Sequence, residues 1–87
     1  MDEKILELYS WVLLGSQRVK VVKALNVPKT PMLIRKETQL NFGNVSNVLK
    51  VLSEKGIVVC LNPDSHLGKL YKLTEIGEKI SEMLKNL

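Results

Sequence analysis

Apolar residues at the start of the chain recur with the 3.6-residue period of a helix. Between residues 2 and 14 this stripe consists of Ile5, Leu8, Tyr9 and Val12. Asp2 and Glu3 suit the positive end of the dipole of such a helix. The pair Gly15-Ser16 then indicates a break with a new N-cap, followed by a second stripe of Val19, Val22 and Leu25. The first quarter of the chain therefore forms either two helices or one bent helix.

The pair Thr30-Pro31 marks the next helix start, after a linker at residues 26–29. Threonine is a favoured N-cap, and proline at the first helical position loses no hydrogen bond, because the first N–H groups of a helix have no intrahelical partner. We expect a short helix over about residues 31–38. Ile34 and either Met32 or Leu33 should face inward.

A longer helix follows a turn at residues 39–42. Its apolar positions have the spacing i, i+3, i+4 and i+7 and form one face, made of Val45, Val48, Leu49 and Leu52. Gly56 should end it as a left-handed cap. Its start is crowded by residues that weaken helix interiors, namely Asn41, Asn44, Ser46 and Asn47. These polar residues need a purpose other than helix formation.

The pattern changes after Gly56. Two short β-prone segments, residues 57–61 and 70–73, flank a loop at 62–68 that is rich in turn formers, which predicts a β-hairpin. Thr74 should cap a final helix to the end of the chain. The apolar stripe of that helix is predicted to pack on the core or on a partner and consists of Ile76, Ile80, Met83, Leu84 and Leu87.

The charge distribution adds a functional hint to this single domain of 87 residues. The net charge is +4, but residues 1–15 sum to −2 and residues 73–87 to −1, whereas residues 16–72 carry ten Lys or Arg against three acids, or +7. A basic centre between mildly acidic ends favours a polyanionic partner over the alternative of a lysine-rich solvated surface.

The residue inventory argues against catalysis, metal binding and cofactor binding. The chain has one Cys and one His, and no carboxylate pair accompanies either, so we expect no enzyme, no metal site and no cofactor. Cys60 and His66 could meet across the hairpin, but two ligands do not close a zinc site. No segment is long and apolar enough to span a membrane and the start is unlike a signal peptide, which predicts a cytoplasmic protein without membrane contact.

Three segments together resemble the winged helix-turn-helix regulators, in particular small archaeal ones of the ArsR and MarR groups. They are GSQRVKVVKAL, TPMLIRKETQLNFGNVSNVLKVLSEKGIV and GKLYKLTEIGEKI. The resemblance implies an α+β, mostly helical fold with a three-helix core, a β-hairpin wing and a C-terminal helix. Residues 1–87 would form one such domain, with the helix-turn-helix at about 30–56, the wing at about 57–73 and the C-terminal helix at about 74–87.

In this fold the second helix of the pair enters the major groove of double-stranded DNA, with its N-terminal residues nearest the bases. Since Val45, Val48, Leu49 and Leu52 point inward, the residues expected to face DNA are Asn44, Ser46, Asn47 and Lys50. Asn44 has two interpretations, N-cap and base contact. For Asn47, which weakens the helix without a capping role, we favour contact.

The expected flanking contacts come from the shorter helix and from the wing. Thr30, Arg35, Lys36 and Gln39 would flank the groove. The resemblance implies that the wing tip, with His66, Lys69 and Lys72, lies along a phosphate backbone or the minor groove. Such wings usually carry arginine where this chain has Lys69, and lysine favours phosphate contact because it lacks the planar fork. His66 can also be a plain exposed loop residue.

The two terminal helices carry surplus apolar residues, which either complete the core or form a two-fold homodimer interface. A dimer would place two recognition helices about one DNA turn apart. We expect a sequence-specific DNA-binding transcriptional regulator. The alternative is a winged-helix module that binds protein and no DNA, although such modules tend to lose a basic, Asn- and Ser-rich outer face.

Overall fold

The computed structural model describes residues 2–87, and this part of the chain contains five helices and one two-stranded hairpin. In chain order they are α1 (Glu3–Leu13), α2 (Ser16–Ala24), α3 (Pro31–Thr38), α4 (Phe42–Glu54), β1 (Val58–Cys60), β2 (Tyr71–Leu73) and α5 (Glu75–Lys85). Helices α2, α3 and α4 pack on one another, and α1 and α5 pack together and on α2. The three-helix core, hairpin wing and C-terminal helix are those that the sequence predicts.

The first two helices are separate and not one bent helix. The side chain of Asp2 caps α1 by accepting a hydrogen bond from the Lys4 amide at 2.9 Å. Gly15 occupies the N-cap position of α2 without a side-chain hydrogen bond, and Ser16 is the first residue of the helix. Val22 and Leu25 are buried as expected, but Val21 is fully buried whereas Val19 is only half-buried. The inward face of α2 is therefore rotated from the predicted one.

Helix α3 has the predicted bounds but a smaller buried face. Ile34 is fully buried, whereas Met32 is 58% and Leu33 42% exposed, so the expectation that one of these two faces inward was wrong. An eight-residue helix turns little more than twice, so only a narrow strip of it reaches the core. Leu40, in the turn after α3, packs against the core instead.

The hairpin is shorter than predicted and has an additional bridge. Its antiparallel pairs are Val58 with Leu73, Val59 with Lys72 and Cys60 with Tyr71. Lys29, predicted in a plain linker, also bridges to Tyr71 through two backbone hydrogen bonds of 2.9 Å. The Lys29 side chain is 9% exposed and is neutralised by Glu37, with a further hydrogen bond of 2.9 Å to Asn26. The segment before α3 is thus part of the wing's base.

Helix α5 is anchored at its start and free at its end. Thr74 caps it by accepting from the Gly77 amide at 3.1 Å, while its hydroxyl lies 2.7 Å from the carbonyl of Gly56. Gly77 is buried, and a Cβ atom there would lie 2.1 Å from the Ile57 carbonyl oxygen. The helix ends at Lys85 and Leu87 is 78% exposed, so the apolar stripe packs on this chain's own core only as far as Leu84, and packing of Leu87 on a partner stays a prediction.

Candidate nucleic-acid interface

The start of α4 is held by Asn41. Its side-chain oxygen accepts a hydrogen bond from the Asn44 amide at 2.7 Å, and its backbone is extended, as an N-cap requires. Asn41 and not Asn44 is therefore the N-cap, and the capping interpretation of Asn44 was wrong. Asn44 is the third residue of the helix, is half-buried, and has no side-chain hydrogen bond within residues 2–87. An Asn three residues before Asn44 was the signal in the sequence for this cap.

The far end of α4 is closed by two backbone hydrogen bonds. Gly56 has a φ of 75°, the left-handed conformation predicted for it. The Gly56 amide donates to the Ser53 carbonyl at 3.0 Å, and the Ile57 amide donates to the Leu52 carbonyl at 2.9 Å. These are the two bonds of a Schellman motif. Helix α4 thus ends where the wing begins, with a fixed exit direction.

Three of the predicted contact residues lie on the outer side of α4. Ser46, Asn47 and Lys50 are exposed, whereas Val45, Val48, Leu49 and Leu52 are buried in the core. Residues three and four apart share a helix face, so Asn47 and Lys50 stand next to each other. The outer side of α4 therefore presents amide, hydroxyl and ammonium groups on a helix whose inner side is fixed.

The residues predicted to flank this face are placed by α3. Arg35, Lys36 and Gln39 are exposed, and they line one shallow depression together with Leu40, Asn41 and Phe42 at the start of α4. Gln39 has a φ of 62° and ends α3 in the left-handed conformation. The Thr30 hydroxyl is half-buried and accepts from the Leu33 amide at 3.3 Å, which makes it the cap of α3.

The wing loop is organised by Asn62, a residue that the sequence analysis did not single out. Its side-chain oxygen accepts from the Leu70 amide at 2.6 Å, and its side-chain nitrogen donates to the Gly68 carbonyl at 2.9 Å. Asn62 thereby ties the two ends of the loop together. His66 and Lys69 are exposed on this loop. An Asn directly after a strand, facing a Gly across a turn-rich loop, was the available signal.

Lys72 has different surroundings from the other predicted wing residues. It lies in β2, is exposed, and lines a groove formed with the segment 25–28 and with α5. Two carboxylates of α5, those of Glu78 and Glu82, line the same groove. Lys85 also lines this groove, so its two ammonium groups and two carboxylates balance, and a phosphate there would meet little net positive charge.

Two cations of the basic centre are bonded within the structure, and a third, the exposed Lys55, lies 5.3 Å from the centre of the Trp11 ring. The Arg18 guanidinium lies 4.1 Å from the centre of the Trp11 ring and donates a hydrogen bond of 2.6 Å to the Trp11 carbonyl. Lys29 is buried against Glu37. Both side chains stabilise contacts between elements. The positive charge available to a partner therefore lies chiefly on exposed lysines and on Arg35.

The hairpin holds the chain's one cysteine. Cys60 is half-buried, and its sulfur lies 3.7 Å from the Asn62 side-chain oxygen. Burial raises the pKa of the Tyr71 phenol on the facing strand, with a smaller contribution from Cys60.

No three potential metal ligands cluster anywhere in residues 2–87. None of the helices in this range has the length and apolar character needed to cross a membrane.

The same architecture occurs in solved DNA-binding proteins. No protein-family model and no curated protein sequence matches this chain. The reduced form of MarR from E. coli is 30% identical, with a TM-score of 0.74 over 94% of this chain and 62% of the MarR chain. A cysteine-to-serine mutant of MarR complexed with operator DNA is 29% identical, with a TM-score of 0.75 over 99% of this chain and 64% of the other. The chain thus spans less than two thirds of the length of these MarR chains.

A second similar structure is TubR from Bacillus thuringiensis serovar israelensis, bound to 24 base pairs of tubC. Its TM-score is 0.82 over 94% of this chain and 92% of the TubR chain, at 17% identity. At that identity the likeness concerns the fold alone. The described part of this chain therefore forms a winged helix-turn-helix domain similar to those of MarR-family regulators.

Proposed function

We propose that this protein is a transcriptional regulator that binds double-stranded DNA in a sequence-specific manner. The observation that carries the proposal is the outer side of α4, where Ser46, Asn47 and Lys50 stand exposed on a helix that is fixed at both ends. A helix of this kind fits the major groove, and amide, hydroxyl and ammonium groups can hydrogen-bond to base edges there.

The proposed contacts divide into base contacts and phosphate contacts. Asn44, Ser46, Asn47 and Lys50 would face the bases. Arg35, Lys36 and Gln39 on the α3 side, and His66 and Lys69 on the wing, would contact the backbone, with Thr30 and Lys72 at the margins. Phosphate contacts fix the position of the protein, whereas base contacts select the sequence.

The similar structures support DNA binding as the function. The MarR mutant is seen in complex with operator DNA, and TubR is seen bound to a DNA duplex. Both share the fold of this chain, with TM-scores of 0.75 and 0.82. The segments that resemble small archaeal regulators of the ArsR and MarR groups support membership of that class, and a cytoplasmic location, as part of the same proposal.

The proposal includes a homodimer formed by α1 and α5. These two helices pack side by side, and apolar side chains that this chain leaves exposed lie on or next to them, including Leu6, Leu13, Leu14 and Leu87. Apolar area of this kind on terminal helices suits a two-fold interface. Such a dimer would bind two half-sites one helical turn apart.

The competing function is a winged-helix module that binds protein. The exposed apolar residues Met32 and Leu33 on α3 favour it, since a phosphate backbone offers them no apolar contact. The basic and amide-rich surroundings of α4 favour DNA.

Fluorescence anisotropy with random duplex DNA at several salt concentrations separates the two functions. A DNA-binding protein should bind at about 50 mM salt and lose affinity steeply as salt rises, because binding releases counterions. Absence of any binding at about 50 mM salt would refute the proposal. Duplexes selected from the native genome should then bind far more tightly than random ones.

Two variants test the proposed division of contacts. Lys69→Ala should weaken binding on all sequences and lower the salt slope by about 1, whereas Asn47→Ala should relax preference at particular base pairs. Lys79→Ala removes an equal charge from α5 and serves as the control. Equal and sequence-independent losses for Lys69→Ala and Asn47→Ala would contradict the division.

A further inference from the structure

The one phenylalanine of the chain, Phe42, lies on the surface at the start of the recognition helix. It is the first residue of α4 and is 48% exposed. Large aromatic side chains mostly contribute to cores and interfaces, where their apolar area is removed from water. Phe42 lies outside the hydrophobic core, so core packing does not explain why a phenylalanine stands at this position.

The start of α4 is stabilised by other residues. Asn41 supplies the cap, Val45 supplies the first buried contact of the helix, and Leu40 packs against the core just before the cap. Leu40 and Val45 occupy the two positions of a hydrophobic staple. Phe42 lies between these residues in sequence and contributes neither to the cap nor to the staple, which leaves its ring available for a partner.

The surroundings of Phe42 define the chemistry of that partner. The depression that it lines is bordered by Arg35, Lys36, Gln39 and Asn41, which means two cations, two amides and no carboxylate. An apolar ring within a cationic and amide border suits a ligand that combines a small apolar group with nearby negative charge. A duplex major groove has this combination at thymine, whose C5-methyl group is flanked by phosphates, and phenylalanine is one of the side chains that contact this methyl group.

We propose that Phe42 packs against the C5-methyl group of a thymine in the major groove and so helps to determine sequence specificity. This inference rests on the proposed DNA-binding function, in which the N-terminal residues of α4 lie nearest the bases. It assigns a preferred base to a residue that is not among the predicted contacts Asn44, Ser46, Asn47 and Lys50, although it shares a helix face with Ser46.

The experiment uses the full chain and a duplex selected for tight binding. Each thymine is replaced in turn by deoxyuridine, which removes only the methyl group and leaves every hydrogen-bonding atom in place. For the natural protein, one replacement per half-site should weaken binding about fourfold, the effect expected for burying one methyl-sized group, and the others should change little.

The variant Phe42→Ala should bind the thymine and uracil duplexes equally at the sensitive position. Phe42→Leu keeps an apolar contact and should retain part of the discrimination, whereas Phe42→Gln should abolish it like Phe42→Ala. A 5-methylcytosine pair placed at the sensitive position should bind better than a plain cytosine pair with the natural protein, and no better with Phe42→Ala. Thermal unfolding of all three variants verifies that each is folded.

The outcomes separate this inference from the function on which it rests. If the natural protein binds no duplex, the proposed function fails and this inference with it. If the natural protein binds duplex DNA but is insensitive to every uracil, the assignment of Phe42 is overturned and the function stands. Equal uracil sensitivity in the natural protein, Phe42→Ala and Phe42→Gln would likewise overturn it, since the methyl group would then contact another residue.

Discussion

Helix α4 and the wing are the two parts of the candidate interface, and they are built in different ways. Helix α4 has 13 residues, a side-chain cap at its start, a Schellman motif at its end and four residues buried in the core. The hairpin has three residue pairs, and its loop is closed by the side chain of Asn62 and by a backbone hydrogen bond of 2.8 Å from the Leu61 amide to the Leu70 carbonyl. A rigid helix suits base contacts that need exact geometry, whereas an adjustable loop suits phosphate contacts.

The wing itself divides into a base that is paired with other elements and an exposed tip whose hydrogen bonds stay within the hairpin. At the base, Tyr71 pairs with both Cys60 and Lys29, and the Thr74 hydroxyl donates to the Gly56 carbonyl. At the tip, Pro63 and Asp64 are exposed, as is most of the loop that follows. The contrast is therefore between one continuous fixed body, made of α4 and the wing's base, and a tip that can adapt.

The largest effect is expected at Gly77, where α5 crosses the base of the wing. Gly77→Ala would place a Cβ atom 2.1 Å from the Ile57 carbonyl oxygen, a backbone atom that cannot move without displacing β1. We expect a loss of about 3 kcal/mol or more in the free energy of unfolding, at the upper end of overpacking effects. Urea unfolding followed by circular dichroism measures it.

Gly43→Ala is the matched control on α4. A Cβ atom there would meet only the Asn41 side-chain oxygen at 3.5 Å, an ordinary contact. Alanine is the better helix former, so this change should stabilise the protein by about 0.5–1 kcal/mol. A loss of stability for Gly43→Ala, or none for Gly77→Ala, would contradict the described packing.

The next largest effect is expected at the cap of α4. Asn41→Ala removes the acceptor for the Asn44 amide and should cost about 1 kcal/mol of unfolding free energy. Because the first turn of α4 carries the proposed base contacts, DNA affinity should fall as well. Asn44→Ala is the control: it should change stability less while still lowering affinity. A larger stability loss for Asn44→Ala would restore Asn44 as the cap.

How well the sequence predicted each of these features depends on how far apart along the chain the interacting residues lie. The apolar face of α4, the Thr30-Pro31 start of α3 and the Gly56 end of α4 depend on neighbours along the chain, and all three were predicted. The cap itself was not predicted: Asn44 was the capping candidate, whereas the cap is Asn41, which has the same side-chain chemistry.

The features that the sequence did not predict depend on contacts between distant segments. Lys29 bridges to Tyr71, 42 positions later, and the Gly77 position requires glycine only because Ile57 lies against it. The exposure of Met32 and Leu33 likewise depends on how α3 sits on its neighbours. The base of the wing is built from such contacts, so it was predicted less well than α4. The contact residues on either part stay predictions until DNA binding is measured.

A smaller effect is expected at the tip of the wing. Asn62→Ala removes the hydrogen bonds to the Leu70 amide and the Gly68 carbonyl. Global stability should fall by about 1 kcal/mol or less, but hydrogen exchange in residues 61–70 should become faster, because the loop loses the side chain that closes it. Ser65→Ala is the control, because it removes only the hydrogen bond of 3.2 Å that the Ser65 hydroxyl accepts from the Leu67 amide within the tip. Unchanged exchange in Asn62→Ala would show that the tip is held by other contacts.

The smallest effect concerns the pH dependence of the wing's base. Burial raises the pKa of the Tyr71 phenol, so the folded state favours the neutral form. The resulting stability is complete below the unfolded pKa of about 10 and is lost as pH rises through the folded pKa. Unfolding free energy should therefore fall more in the natural protein than in Tyr71→Phe when pH is raised past 10, which urea unfolding at a series of pH values measures.

Cys60→Ala distinguishes the two causes of this shift. Burial is the larger cause and the Cys60 charge the smaller, so most of the difference from Tyr71→Phe should survive in this variant. If the difference disappears in Cys60→Ala, the thiolate and not burial controls Tyr71. The Lys29 amide donates a hydrogen bond to the Tyr71 carbonyl. If the hydrogen-exchange protection of this amide falls with the ionisation of Tyr71 while the protection of the α4 amides does not, the base of the wing and α4 are two bodies and not one.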